Sequence, residues 1–126
     1  MENNNTRQSL EQGRANFAFI CAEKGNKLAD FKSAAKKAPM MIKNHGLGAA
    51  LAFMYSKGGN LSVITGYIQD WLKEDSNNKQ LIDLSKNDLV YKITEVDTAT
   101  YRAVTIEVLA FLNWLRRFAD GLSKGN

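Results

Sequence analysis

Apolar residues recur along this chain at a spacing of three and four, while strict alternation is weak throughout, so the pattern predicts helix after helix. The first helix runs from about Arg7 to Lys24, with Leu10, Arg14, Phe17, Ile20 and Cys21 along one side. Gly25 and Asn26 punctuate it as a C-terminal stop should. A second helix begins near Lys27 and carries Leu28, Phe31, Ala35, Ala38 and Ile42, one narrow stripe. The stripe keeps its phase across Pro39, although a helix-interior proline costs about 3 kcal/mol. The expectation is a kink there, or else a full break. Lys32, Lys36 and Lys43 fall within an arc of roughly 40° on the adjacent, solvent-facing side.

Asn44, His45, Gly46 and Gly48 mark the next corner. Leu47, Leu51 and Met54 or Tyr55 then give a short third helix ending at Lys57, Gly58 and Gly59, in which Ala49, Ala50 and Ala52 would let a neighbour approach closely. Asn60 reads as the N-cap of a fourth helix that buries Leu61, Ile64, Ile68, Trp71 and Leu72. Glu74 to Lys79 reads as a polar loop, and Ser85 with Asp88 as a capping box opening a short helix through Leu89, Tyr91 and Ile93. The last helix is the clearest. Asp97 is its N-cap, and Tyr101, Val104, Val108, Leu112, Leu115, Ala119 and Leu122 sustain one stripe for some seven turns. Arg102, Asn113, Arg116, Arg117 and Asp120 share the polar side, with Trp114 near the stripe's edge. The expected fold class is all-α, a compact bundle of five to six helices with a long C-terminal helix. Residues 1–126 are expected to form one domain, with residues 1–6 a disordered tail.

Composition narrows the function classes. With 44% hydrophobic and 24% charged residues the chain has the means to fold and stay soluble. One cysteine excludes an intramolecular disulfide, and one histidine leaves too few ligands for an ordinary Cys/His metal site. Met1 to Gln12 is polar and carries no apolar h-region, and no stretch approaches the roughly 18 apolar residues of a membrane span, so a cytoplasmic protein is expected. The net charge of +4 is uneven: Arg14 to Lys57 carries eight bases against two acids, whereas Gly58 to Thr100 carries four against seven. A localised positive field of this kind attracts a polyanion such as RNA, though a lysine row on an exposed helix is also ordinary solvation. Arg116 and Arg117 close a helix, where cations also oppose the dipole's negative end.

Catalytic chemistry finds little footing. His45 has no nucleophile, carboxylate pair or second histidine in a recognisable spacing and reads as a corner residue. Cys21 reads as a buried, inert thiol, and Gly46 with Gly48 as turn and close-packing glycines. Trp114 and Tyr67 are either packed inside the fold or, for Trp114 especially, an anchor for another subunit.

Two blocks are specific as a pair: KAPMMIKNHGLGAALAFMYSKG from Lys37 to Gly58, followed by Trp71 and Leu72, and YRAVTIEVLAFLNWLRRFADG from Tyr101 to Gly121. With them the chain resembles the small-subunit family of the type III-B CRISPR (Cmr) effector complex, over most of its length from Arg14 onward. The resemblance implies an all-helical subunit without a nuclease site or cofactor. It implies stacking in a few copies beside the backbone subunits, other copies of itself and those backbone subunits being partners along with guide RNA and target RNA. The basic stripes then become candidate phosphate contacts: Lys36, Lys37, Lys43, Lys57, Arg116 and Arg117. The expected function is a non-catalytic subunit that contacts guide-target RNA in antiviral defence. The alternative is a helical adaptor whose basic surface binds an acidic protein, and a weaker third option is an enzyme with an unrecognised site.

Overall fold

The computed structural model describes residues 2–124, with side chains placed from residue 9 to residue 123. Seven helices follow one another and no strand occurs among the described residues: α1 (Glu2–Gly25), α2 (Phe31–His45), α3 (Leu47–Lys57), α4 (Gly59–Glu74), α5 (Ser76–Leu81), α6 (Leu89–Lys92) and α7 (Thr98–Lys124). The fold is the expected all-α bundle with a long C-terminal helix, enlarged by one short helix. Of the expected tail, Met1 and the side chains of residues 2–8 lie outside the described residues, and the helical backbone is described from Glu2, earlier than Arg7.

α7 is the spine. It packs against α1 along most of its length and against α2 on the neighbouring side, while α3 and α4 close the bundle over α2. Its stripe is buried as the spacing requires: Val104, Val108, Leu112, Leu115 and Ala119 are fully covered, and Phe111 joins them. The valine, leucine and phenylalanine side chains each contribute about 1.5–3 kcal/mol by leaving water, and the Ala119 methyl about 0.8 kcal/mol. Asp97 caps α7, its carboxylate accepting the Thr100 N–H at 2.8 Å, and that hydrogen bond holds its pKa below the ordinary aspartate value. In α4, Ile64, Ile68, Trp71 and Leu72 are buried as expected. The indole of Trp71 stacks on Phe111 with the ring planes 10° apart.

Several details depart from the pattern. α2 starts at Phe31, because residues 26–30 form turns that end in Asp30 at φ 66°. Leu28 is consequently exposed, and Ile20 of α1 is exposed as well, the core face of α1 being filled by Ala18, Cys21 and Ala22. α2 runs through Pro39 as one helix, with the proline ring buried. Asn60 is not a cap. Gly58 precedes α4, and the Asn60 amide instead donates to the carbonyl of Ala29. Ser85 is likewise outside any helix, since its own N–H is taken by Asp83, and α6 starts after Asp88 with no side-chain cap. Where a polar loop is expected, Asp75 accepts the N–H groups of Asn77 and Asn78 at 3.0 Å each, which starts α5. Met54 rather than Tyr55 completes the core face of α3, and of its alanines only Ala50 is buried.

The corner between α2 and α3 is one residue long. Gly46 adopts φ 88°, a left-handed conformation that glycine alone enters without cost, and its N–H bonds Ile42 O at 2.8 Å. Two residues on, the Gly48 N–H donates to the Tyr101 hydroxyl at 2.8 Å. A Cβ at Gly48 would meet that same oxygen at 3.4 Å. Both glycines therefore serve the turn and the close approach to α7.

Candidate nucleic-acid interface

Lys36, Met40 and Lys43 follow one another on α2 at spacings of four and three, and Leu109, Asn113 and Arg116 repeat the same spacing on α7. Side chains so spaced form a ridge along one helix face. The two ridges face each other across a groove of about 520 Å³. Lys36, Lys43 and Arg116 supply its charge, and Pro39, Met40, Leu109 and Ala110 its apolar lining. Arg116 is half-buried and is aimed by Asn113, whose side-chain oxygen accepts from its guanidinium at 3.0 Å.

Among the described residues no acid lines this groove. Lys36 and Lys43 form no ion pair with a described residue, whereas Lys32, on the same arc, is bound to Asp120 at 3.2 Å. That pair is exposed, so it adds at most about 1 kcal/mol to stability, but it removes Lys32 from the positive field. Of the six candidate contacts the structure thus brings three together. Arg117 points about 100° around α7 from Arg116 and is exposed. Lys37 and Lys57 are exposed elsewhere, on the other flank of α2 and at the end of α3. Asn113 is on the polar side that the sequence assigns to Arg116, but its orienting role and the lining residue Met40 escaped the sequence reading. Their signal was the shared four-then-three spacing on two helices, which becomes meaningful only once the helices are known to be neighbours.

A buried polar cluster stands apart from the residues lining the groove. Arg14 and Glu107 are 9% and 8% exposed, and the guanidinium grips the carboxylate through Nε at 2.8 Å and a second nitrogen at 2.9 Å. The Trp71 indole N–H donates to the same carboxylate at 2.9 Å. Arg14 also reaches Glu11 at 2.6 Å, and Glu11 accepts the Trp114 N–H at 3.0 Å. Hydrogen bonding to Glu107 raises the Arg14 pKa above its ordinary value against the opposing pull of burial. The cluster ties α1, α4 and α7 together.

The residues weighed for other chemistry are accounted for. Cys21 is buried, and desolvation pushes its thiol up to about 12. His45 is exposed at the end of α2, within hydrogen-bonding or ion-pair reach of no described residue. Trp114 stacks on Phe118 with ring centroids 5.5 Å apart, and Tyr67 meets Phe31 edge-on at 6.2 Å, so both have partners inside the fold. Among the described residues no His, Cys, Asp and Glu gather to hold a metal, and no helix is long and apolar enough to cross a membrane.

A seven-helix bundle on a long C-terminal spine, with a basic groove on its outside, defines a small all-α protein with a surface suited to anions. The same architecture occurs in the crystal structure of a CRISPR-associated Cmr5 family protein from Thermus thermophilus, with a TM-score of 0.72 and 25% identity, covering 90% of this chain and 96% of that one. The CRISPR system Cmr subunit Cmr5 of Thermus thermophilus is 30% identical over 101 residues, which span 80% of this chain and 82% of the relative. The family CRISPR-associated protein (Cas_Cmr5) matches residues 10–122, and the chain belongs to it. This is the small-subunit family that the two sequence blocks resemble.

Proposed function

We propose that the chain is a non-catalytic small subunit of the type III-B CRISPR (Cmr) effector complex, that it stacks with other copies beside the backbone subunits, and that it contacts guide-target RNA. It acts in the cytoplasm in antiviral defence. The observation that carries the RNA contact is the α2–α7 groove, where Lys36, Lys43 and Arg116 stand together without a neutralising acid among the described residues. Arg117 extends the positive surface around α7. Contacts of this kind go to phosphate, so they hold a strand in register without reading its bases. The non-catalytic part is supported by Cys21, whose thiol at about 12 is not a nucleophile at neutral pH, and by the isolation of His45.

The test uses the assembled complex. Guide-target duplex affinity is measured across a salt series for the wild type and for Lys36→Ala/Lys43→Ala/Arg116→Ala. The variant should bind more weakly at low salt, and the slope of log affinity against log salt should flatten by about 0.7–0.9 for each phosphate no longer neutralised. Unchanged affinity and slope, in a complex that still assembles, would refute the reading.

A further inference from the structure

The opposite flank of α2 is built differently. Met41 and His45 stand one turn apart there, Ala49 and Phe53 one turn apart on α3, and with Ala50 they line a groove of about 410 Å³. Phe53 leaves 50% of its surface in water and sits beside half-buried Met41 in one apolar patch. One turn before Met41 lies Lys37, and one turn after Phe53 lies Lys57, both exposed. Each wall therefore reads, from its outer end toward the corner, lysine, then a large apolar side chain, then a residue at the turn. Neither lysine pairs with a described residue. None could do so locally, because no Asp or Glu occurs from Phe31 to Gln69.

This arrangement selects among occupants. A phosphodiester strand needs cations along its path, and here the cations stand only at the outer ends, with Met41 and Phe53 between them and the corner. Pressing phosphate against those side chains would cost its desolvation without a compensating partner. An apolar side chain seated between Met41 and Phe53, with carboxylates flanking it over Lys37 and Lys57, satisfies the floor and the ends together. Aromatic and methionine side chains are also the kinds that interface cores favour. We infer that the α2–α3 groove docks a segment of a partner protein carrying an apolar anchor flanked by acidic residues, in the manner of an amphipathic helix laid in a groove. Lys37 and Lys57 then serve protein recognition, and the inference stands independently of the RNA reading of the α2–α7 groove.

The test uses the full chain and a fluorescein-labelled amphipathic peptide with leucine, phenylalanine or tryptophan as anchor and glutamates on both sides, read by fluorescence polarisation. At least one acidic peptide should bind, and the version with lysines for glutamates should not. Phe53→Ala should weaken binding by about tenfold or more without shifting the thermal melt, since Phe53 is half exposed. Lys37→Glu/Lys57→Glu should lose the acidic peptide and gain the lysine version. The inference is overturned if all three anchored peptides fail to bind, if Phe53→Ala binds as well as wild type, or if preference does not follow the charge swap. It is overturned equally if a single-stranded RNA oligonucleotide displaces the peptide, which would assign the face to RNA. Self-association that Phe53→Ala abolishes would overturn it too, by assigning the face to a second copy.

Discussion

Replacing Arg14 with methionine isolates the buried polar cluster. Glu107 receives three hydrogen bonds, two from Arg14 and one from Trp71, and sits at 8% exposure. Arg14→Met keeps a long side chain in place but leaves a buried carboxylate with a single donor. Breaking one side of such a pair costs about 3–5 kcal/mol. The contact to Glu11 adds little, because that side chain is 55% exposed. At about 3–5 °C per kcal/mol for a chain of this size the melting point should fall by about 10–20 °C. The double variant Arg14→Met/Glu107→Leu removes the stranded charge and leaves only the Trp71 N–H without a partner, a cost of about 1–3 kcal/mol. It should therefore be more stable than the single variant although it carries one more substitution. Thermal melts and urea denaturation, both followed by circular dichroism at pH 7, measure the two variants. A single variant within about 1 kcal/mol of wild type, or a double variant less stable than the single, would refute the reasoning.

Three further outcomes are expected. Gly25→Ala would place its Cβ on the buried Phe31 ring at the end of α1, and the forced shift should cost about 1–3 kcal/mol in a urea titration. Asp97→Ala should lower the melting point at neutral pH; because the folded pKa of Asp97 lies below its unfolded value, the stability it contributes is present above the unfolded pKa of about 4 and is lost as pH falls through the folded one, so the gap to wild type should close only below about pH 4 in melts run from pH 7 to pH 2. Cys21, with its thiol near 12, should resist a thiol-reactive disulfide reagent at pH 8 in the native protein and react at once in denaturant, a native rate equal to the denatured rate contradicting its burial.

What the sequence made legible was whatever is written on one face of one long helix. α7 and α4 could be read because each has a single continuous apolar stripe and a full complement of turns. α5 could not, since six residues, Ser76 to Leu81, carry no measurable period and the helix owes its start to the Asp75 side chain. The start of α2 was misplaced because Leu28 continues its stripe on paper, while the turn through Asp30 leaves that residue in water. The lysine arc on α2 was legible as charge, but its partnering was not. Whether Lys32 is neutralised and Lys43 is not depends on which residues of α7 lie opposite, and nothing local in α2 encodes that. Arg14 stands among the apolar residues on the inner side of α1, but Glu107 lies beside the α7 stripe, and nothing in the sequence pairs the two until the topology brings them together.

The one-residue corner at Gly46, pinned to α7 through the Gly48 N–H and the Tyr101 hydroxyl, bears directly on affinity. The α2 and α3 walls of one groove leave that corner with no connecting loop, and the Gly48–Tyr101 bond ties it to α7, a wall of the other. A binder meets helical walls, with no loop to order and side-chain rotamers to settle, which keeps the entropic cost of association low. Such a surface demands a complementary partner, because it cannot adjust as a flexible one would, and its association rates should be governed by encounter and charge rather than by rearrangement.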